Sequence, residues 1–315
     1  MPSLSVVIPV YEEQDSVEEL HQGLVRALEP LSLDYEILFV DDGSHDGTFP
    51  RLQQIFLADP RVRVIALRRN FGKTAALVAG FSESKGSTVI TLDGDLQDDP
   101  AEIGRFLQSL DEGNDLTVGW KRRRQDPLTK RLPSKLFNAV LRLLSGLQLH
   151  DFNCGFKAYR REVLDDLRLY GDMHRFIPVV AAWKGYRVGE IEVVHHPRRH
   201  GRSKFGAGRV VSGLVDFVRV VFLTRYMQQP LRLFGTLGVL LFTLGLIGGI
   251  YLAVLKVILG QSIGLVHLPL LLLTVLLLLF GAMMLAIGLI GEMQRHLDYR
   301  SSDEYSIRTK LERDA

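Results

Sequence analysis

The chain has one cysteine, Cys154, in 315 residues. No disulfide can form within it, and a disulfide scaffold is excluded. Net charge is scarce as well: 38 Lys and Arg against 36 Asp and Glu leave +2. Nothing in that balance asks for nucleic acid. Several motifs are also missing. No Gly-x-Gly-x-x-Gly follows a strand-like run, which argues against a dinucleotide site. Phe71-Gly-Lys-Thr74 ends like a P-loop, but residue 67, where the first glycine belongs, is Leu67. Asp42–Gly47 begins like an EF-hand loop, yet Gln53 replaces the terminal glutamate. Starting that loop at Asp93 fails too, with Asp98 at the glycine position and Gly104 at the end. Met1–Val10 lacks a basic n-region and a cleavage signature, so the first 225 residues are expected to stay in the cytoplasm.

Long apolar runs are present. The average, 47% hydrophobic and 23% charged, is ordinary, but a mean hydropathy of +0.12 is high for a soluble protein. The excess sits in Leu233–Leu255 and Leu268–Ile290, 23 uncharged residues each. Each can cross a hydrocarbon core of ~30 Å at ~1.5 Å per residue. The alternative, two buried core helices, requires helices apolar all round for six turns, which globular cores rarely show. The connector Lys256–His267 is short and predicts a hairpin. Arg198, Arg199, Arg202, Lys204, Arg209, Arg219, Arg225 and Arg232 precede the first span against one acid, Asp216, and Arg295 and Arg300 follow the second. The connector holds only Lys256, so the positive-inside rule puts both termini in the cytoplasm. Val210–Leu223, apolar apart from Asp216 and Arg219, reads as an interfacial helix. Gly245 and Gly249 have the small-xxx-small spacing that suits close helix packing.

Residues 1–125 alternate. Strands are predicted at Leu4–Val10, Tyr35–Val40, Val62–Leu67, Thr88–Leu92 and Leu116–Val118, with helices at Ser16–Leu28, Thr48–Leu57, Thr74–Ser82 and Pro100–Leu110. Near-continuous apolar strands between helices indicate a mostly parallel α/β sheet covered on both faces. Ligands bind such sheets at the carboxyl ends of the strands, and those ends are acidic here. Strand one runs into Pro9-Val-Tyr-Glu-Glu13, strand two into Asp41-Asp-Gly-Ser-His-Asp-Gly47, and strand four into Asp93-Gly-Asp-Leu-Gln-Asp-Asp99. Such loops call for a cation or hydrogen-bond donors between them. Asp93 and Asp95 could serve a ribose and a hydrated metal, or cap the helix at Pro100. Asp98 and Asp99 suit the cap better.

The ordered set Pro9-x-Tyr11-x-Glu13, Asp41-Asp42-x-Ser44-x-Asp46 and Asp93-x-Asp95-x-Gln97 resembles glycosyltransferase family 2. Within it, the likeness is to the polyprenyl-phosphate glycosyltransferases, such as dolichyl-phosphate mannose synthases. Arg198-x-x-Gly201-x-Ser203-Lys204 and the paired apolar spans extend the resemblance over nearly the whole chain. It implies a GT-A fold, a Rossmann-like mixed sheet, in residues 1–205. Interfacial helices at 206–228, a membrane hairpin at 229–292 (spans at about 231–257 and 267–291) and a cytoplasmic tail at 293–315 would follow.

The resemblance also implies roles. Pro9, Tyr11, Glu13, Val40, Asp42, Asp93 and Gly94 would line the nucleotide-sugar site. Asp95 and Gln97 would face Mg²⁺ or Mn²⁺, and Asp95 counts as catalytic. Arg198, Arg202 and Lys204 would fold over phosphates, or anchor to anionic lipid. Lys121 or Arg122, with Arg131 and Ser134, would grip the acceptor phosphate. Asp151, in Asp151-Phe-Asn-Cys-Gly-Phe156, would be a base, a sugar ligand or a turn residue. Cys154 and the histidines His174, His195, His196 and His200 read as structural or rim residues. The implied reaction is an inverting, metal-dependent transfer from a nucleotide-sugar, uridine before guanosine, to a membrane polyprenyl phosphate such as undecaprenyl phosphate, by a homo-oligomer, a tetramer among the forms the resemblance allows. A processive polysaccharide synthase would carry Gln-x-x-Arg-Trp, and neither Trp120 nor Trp183 completes it. A membrane-tethered nucleotide-sugar sensor would not need a metal-held leaving group.

Overall fold

The computed structural model describes residues 2–122, 138–139, 141–142, 145–167, 169, 173–197, 230–260 and 266–298. They fall into two compact units, one within residues 2–197 and one within residues 230–298.

In the first unit, β1 (Leu4–Val10), α1 (Val17–Leu28), β2 (Tyr35–Asp41), α2 (Thr48–Ala58), β3 (Val62–Ala66), α3 (Lys73–Glu83) and β4 (Thr88–Thr91) follow one another. Then come α4 (Ile103–Asp111), β5 (Leu116–Trp120), β6 (Lys157–Arg160), α5 (Arg161–Asp166), α6 (Ile177–Trp183) and β7 (Val188–Glu192). The predicted strands and helices appear within a few residues of their expected ends. In α1 the buried positions Val17, Leu20, Leu24 and Leu28 make one apolar stripe, with Glu18 and Glu19 at the positive end of the helix dipole. Every residue of β2 is buried, as a strand covered on both faces requires.

The seven strands form one sheet in the order β3-β2-β1-β4-β6-β5-β7. Pairs β1–β2, β1–β4, β2–β3 and β5–β7 are parallel; β6 runs antiparallel to both β4 and β5. This is the mixed, mostly parallel GT-A sheet. The reversed strand positions the site. Lys157, the first residue of β6, lies opposite Thr91 on β4 and Val118 on β5. Segment 151–156, just before it, therefore arrives at the same edge as the carboxyl ends of β1, β2, β4 and β5.

The second unit is a pair of helices, α7 (Pro230–Val257) and α8 (Leu268–Asp298). Both are long and apolar enough to cross a membrane. Leu237, Val239, Leu240, Leu244, Leu276 and Leu279 are exposed, unlike the residues of a soluble core helix. The helices touch through glycine. A Cβ on Gly281 would lie 2.6 Å from the Phe242 amide nitrogen, and one on Gly238 2.9 Å from the Gly281 carbonyl. Gly245 packs on Leu278 in the same way, whereas Gly249 only approaches Thr274 at 3.7 Å. The seven-residue step from Gly238 to Gly245 thus marks the seam more closely than the Gly245–Gly249 spacing does. The expected interfacial helices at 206–228 lie outside the described residues.

Candidate functional site

Backbone amides stitch the loops after β1 and β2 together. Pro9 and Val40 are register partners on adjacent strands. Beyond them the Glu12 amide donates to Ser44 Oγ at 2.8 Å, the Glu13 amide to Thr48 Oγ1 at 2.9 Å, and the Gly47 amide to Gln14 Oε1 at 2.8 Å. Tyr11 and Glu13 are thereby held on a fixed ledge beside β2. Asp42 is buried, and its two carboxylate oxygens accept from the amides of Phe71 (2.8 Å) and Gly72 (2.9 Å). It therefore fixes the loop that enters α3. Gly43, at φ +72°, lies so close to the Arg69 backbone that no side chain fits.

The loop after β4 carries Asp93, Gly94, Asp95 and Gln97. Gly94 abuts Val10, where an added Cβ would meet Val10 Cγ1 at 2.8 Å. Asp93 Oδ1 is 2.5 Å from Lys73 Nζ. Desolvation pushes that carboxyl up, but the charges of Lys73, then Lys121 and Lys157, outweigh it and hold Asp93 well below the usual carboxylate range. Gly155 packs against the same carboxylate, since a Cβ there would sit 2.4 Å from Asp93 Oδ1. Asp95 Oδ1 accepts from the Gln97 amide at 3.2 Å, with Leu96 between them at φ +60°. The Gln97 side-chain nitrogen lies 3.5 Å from His195 Nε2 and from the His196 carbonyl.

Among the described residues, no three His, Cys, Asp or Glu side chains cluster in a way that could hold a metal ion. Asp95 and Gln97 instead offer two oxygen groups on one loop. That donor set suits a hard cation carried mainly by substrate phosphates and water.

The remaining candidates lie around β5. Lys121, the residue after that strand, pairs with buried Asp98 at 2.5 Å. Desolvation opposes its charge, yet the Asp98 carboxylate raises its pKa. Asp98 is therefore a buried counter-ion, and Asp99 alone makes the cap, accepting from the Ala101 amide at 3.0 Å. Arg122 is exposed and reaches Glu192 at 3.3 Å. Asp151 is buried, and its Oδ1 accepts from the Asn153 amide at 3.1 Å. Glu190 on β7 anchors that turn through the His150 and Asp151 amides, at 2.7 and 3.0 Å. Burial pushes the Cys154 thiol up to about 12, which leaves it inert. Lys157, buried, donates to the Cys154 carbonyl and is brought down to about 8 by desolvation. Half-buried His174 pairs with Thr74 Oγ1 at 2.8 Å, and desolvation, with the charges of Lys73 and Arg175, keeps it neutral, at about 3.

Arg131, Ser134, Arg198, Arg202 and Lys204 lie outside the described residues, as does His200. Sequence reasoning passed over Lys73, Gly155 and Glu190. Lys73 sat in view inside the rejected P-loop segment, and Gly155 inside the Asp151–Phe156 motif.

Residues 5–168 match Glycosyl transferase family 2, and the chain belongs to that family and is a glycosyltransferase. Its relatives narrow the class to enzymes that act with polyprenyl phosphates. Dodecaprenyl-phosphate galacturonate synthase of Rhizobium johnstonii is 37% identical over 312 residues, covering 97% of this chain and 92% of that protein. Undecaprenyl-phosphate 4-deoxy-4-formamido-L-arabinose transferase of Proteus mirabilis is 34% identical over 307 residues, covering 96% and 92%. Among solved structures, glucosyl-3-phosphoglycerate synthase from Mycobacterium tuberculosis, crystallised with Mn²⁺, UDP-glucose and glycerol 3-phosphate, aligns at a TM-score of 0.51. It is 21% identical over 71% of this chain and 79% of its own, and supports the fold alone.

Proposed function

We propose that this glycosyltransferase moves a sugar from a nucleotide-sugar, a UDP-sugar before a GDP-sugar, to a membrane polyprenyl phosphate such as undecaprenyl phosphate. The observation that carries this reading is a combination. An acidic Asp93–Gln97 loop at a GT-A sheet edge shares one chain with two membrane-length helices, and named polyprenyl-phosphate transferases match 97% and 96% of that chain.

Pro9, Tyr11, Glu13, Val40, Asp42, Asp93 and Gly94 bind the base and ribose in this reading. Asp95 and Gln97 would hold Mg²⁺ or Mn²⁺, which would neutralise charge on the departing diphosphate. The acceptor phosphate loses its second proton near pKa ~6 and is largely pre-ionised. Its oxygen attacks the anomeric carbon as the bond to the nucleoside diphosphate breaks, with inversion. Chain residues then have two tasks, orientation and charge neutralisation. Arg122, exposed beside Trp120 and Glu192, suits the acceptor phosphate better than Lys121, whose charge Asp98 already balances. Arg131, Ser134 and Arg202 complete the acceptor grip, and Arg198 and Lys204 the donor grip. Asp151 sits in the turn beside Asp93 and serves the reacting sugar. The helices cross the membrane with both termini cytoplasmic, and residues 206–228 lie along its surface.

The test supplies full-length chain in detergent with undecaprenyl phosphate, Mn²⁺ and a panel of UDP- and GDP-sugars. Mass spectrometry of the lipid should show a gain of one glycosyl residue with one nucleoside diphosphate released. Nucleotide binding with unchanged lipid across the panel would favour a sensor instead.

A further inference from the structure

Lys73 is the first residue of α3, yet its charge is spent far from the strand that precedes it. Helix α3 follows the edge strand β3 and packs across β1 and β2, where Gly80 lets it settle on Val7 and Val40. Its start is fixed twice over. Asp42 holds the amides of Phe71 and Gly72, and Gly72 turns the chain at φ +94°. The lysine is thereby presented to Asp93, two residues beyond β4, with its Nζ 2.5 Å from Oδ1. Gly155 packs against the same carboxylate, which a Cβ there would meet at 2.4 Å. The Asp93 carboxylate is held by an ammonium and packed against a bare Cα.

We propose that Lys73 is a positioning residue for the donor: it sets the orientation of the Asp93 carboxylate on which the nucleotide ribose is held. The inference rests on the reading of Asp93 as a ribose ligand. It also divides labour within Asp93-x-Asp95-x-Gln97. Asp93, balanced by a fixed lysine, serves the ribose, and Asp95 and Gln97 serve the cation in the proposed function. Lys73 itself need not touch the nucleotide.

A double-mutant cycle on full-length chain in detergent tests this, with affinity for UDP and for GDP, each with Mn²⁺, measured by calorimetry and the tighter ligand used throughout. Losing an oriented, charge-assisted hydrogen bond should weaken binding about tenfold in Lys73→Met and at least as much in Asp93→Asn. The double variant should bind within about twofold of Asp93→Asn alone, because residues acting through one contact are not additive. Lys73→Arg should restore affinity to within about threefold of the parent, which separates positioning from general damage to the fold. Unchanged affinity in Lys73→Met beside weakened Asp93→Asn would overturn the inference alone. Losses that add in the double variant would also overturn it, by showing that Lys73 contacts the nucleotide directly. Parental affinity in Asp93→Asn would instead remove the ribose reading beneath it.

Discussion

Asp98 and Lys121 form a buried ion pair, Oδ1 to Nζ at 2.5 Å, with side chains 0% and 10% exposed. Among the described residues, neither oxygen of Asp98 accepts a hydrogen bond of good geometry, so the carboxylate depends on the lysine charge. The pair ties the end of β5 to the Asp95–Gln97 loop, and the Asp98 backbone pairs with His195 on the far side. Removing Lys121 leaves an uncompensated buried charge, which costs about 3–5 kcal/mol. Lys121→Met should lower the denaturation midpoint steeply, and adding Asp98→Asn should recover much of the loss. A midpoint insensitive to Lys121→Met would show that the pair carries no stability.

Gly155 is required by its neighbour and not by its backbone. A Cβ there would fall 2.4–2.6 Å from the three carboxylate atoms of Asp93. Gly155→Ala should displace Asp93 while leaving the buried sheet intact. A misplacement of about 1 Å costs about a hundredfold in kcat/KM. Steady-state kinetics beside a thermal melt would separate the two effects, and normal kinetics would show that Asp93 can move freely.

Acid stability should depend on Asp59. Hydrogen bonds from Arg61, at 2.9 and 3.0 Å, outweigh burial and with His21 hold its carboxyl down to about 2. A depressed carboxyl stabilises the fold fully above its unfolded pKa of ~3.9. That contribution is lost as pH falls through the folded value. Asp59→Asn should remove about 1–2 kcal/mol at pH 7 and flatten the stability slope between about pH 4 and 2. An unchanged slope in denaturation curves would contradict this.

Gly281 sets the distance between α7 and α8, since its Cβ would meet the Phe242 amide nitrogen at 2.6 Å. Gly281→Val should destabilise the helix pair by about 1–3 kcal/mol, and Gly281→Ala by less. Hydrogen exchange of the two helices in detergent reads this directly. Equal protection in Gly281→Val would place the seam elsewhere.

The sheet was largely legible in the sequence because β1, β2 and β4 are mostly buried and read as near-continuous apolar runs. Strands β6 and β7 escaped notice for the same physical reason in reverse. Lys157-Ala-Tyr-Arg160 is four residues long with a charge at each end, and Val188-Gly-Glu-Ile-Glu192 is a half-exposed edge strand. Only pairing across the sheet identifies them, and with them the arrival of Asp151 and Gly155 at the site. The acidic loops were visible as motifs, but their internal division was not. Spacing cannot say that Asp98 is a counter-ion and Asp99 a cap, nor that Lys73 reaches across two strands to Asp93.

The central claim is transfer of a sugar onto a lipid phosphate at the Asp93–Gln97 edge. Full-length chain with undecaprenyl phosphate, Mn²⁺ and radiolabelled UDP-sugars should carry label into the organic phase, and the Asp95→Ala variant should carry none. Label that stays aqueous with every UDP- and GDP-sugar, or an Asp95→Ala variant as active as the parent, would contradict the account.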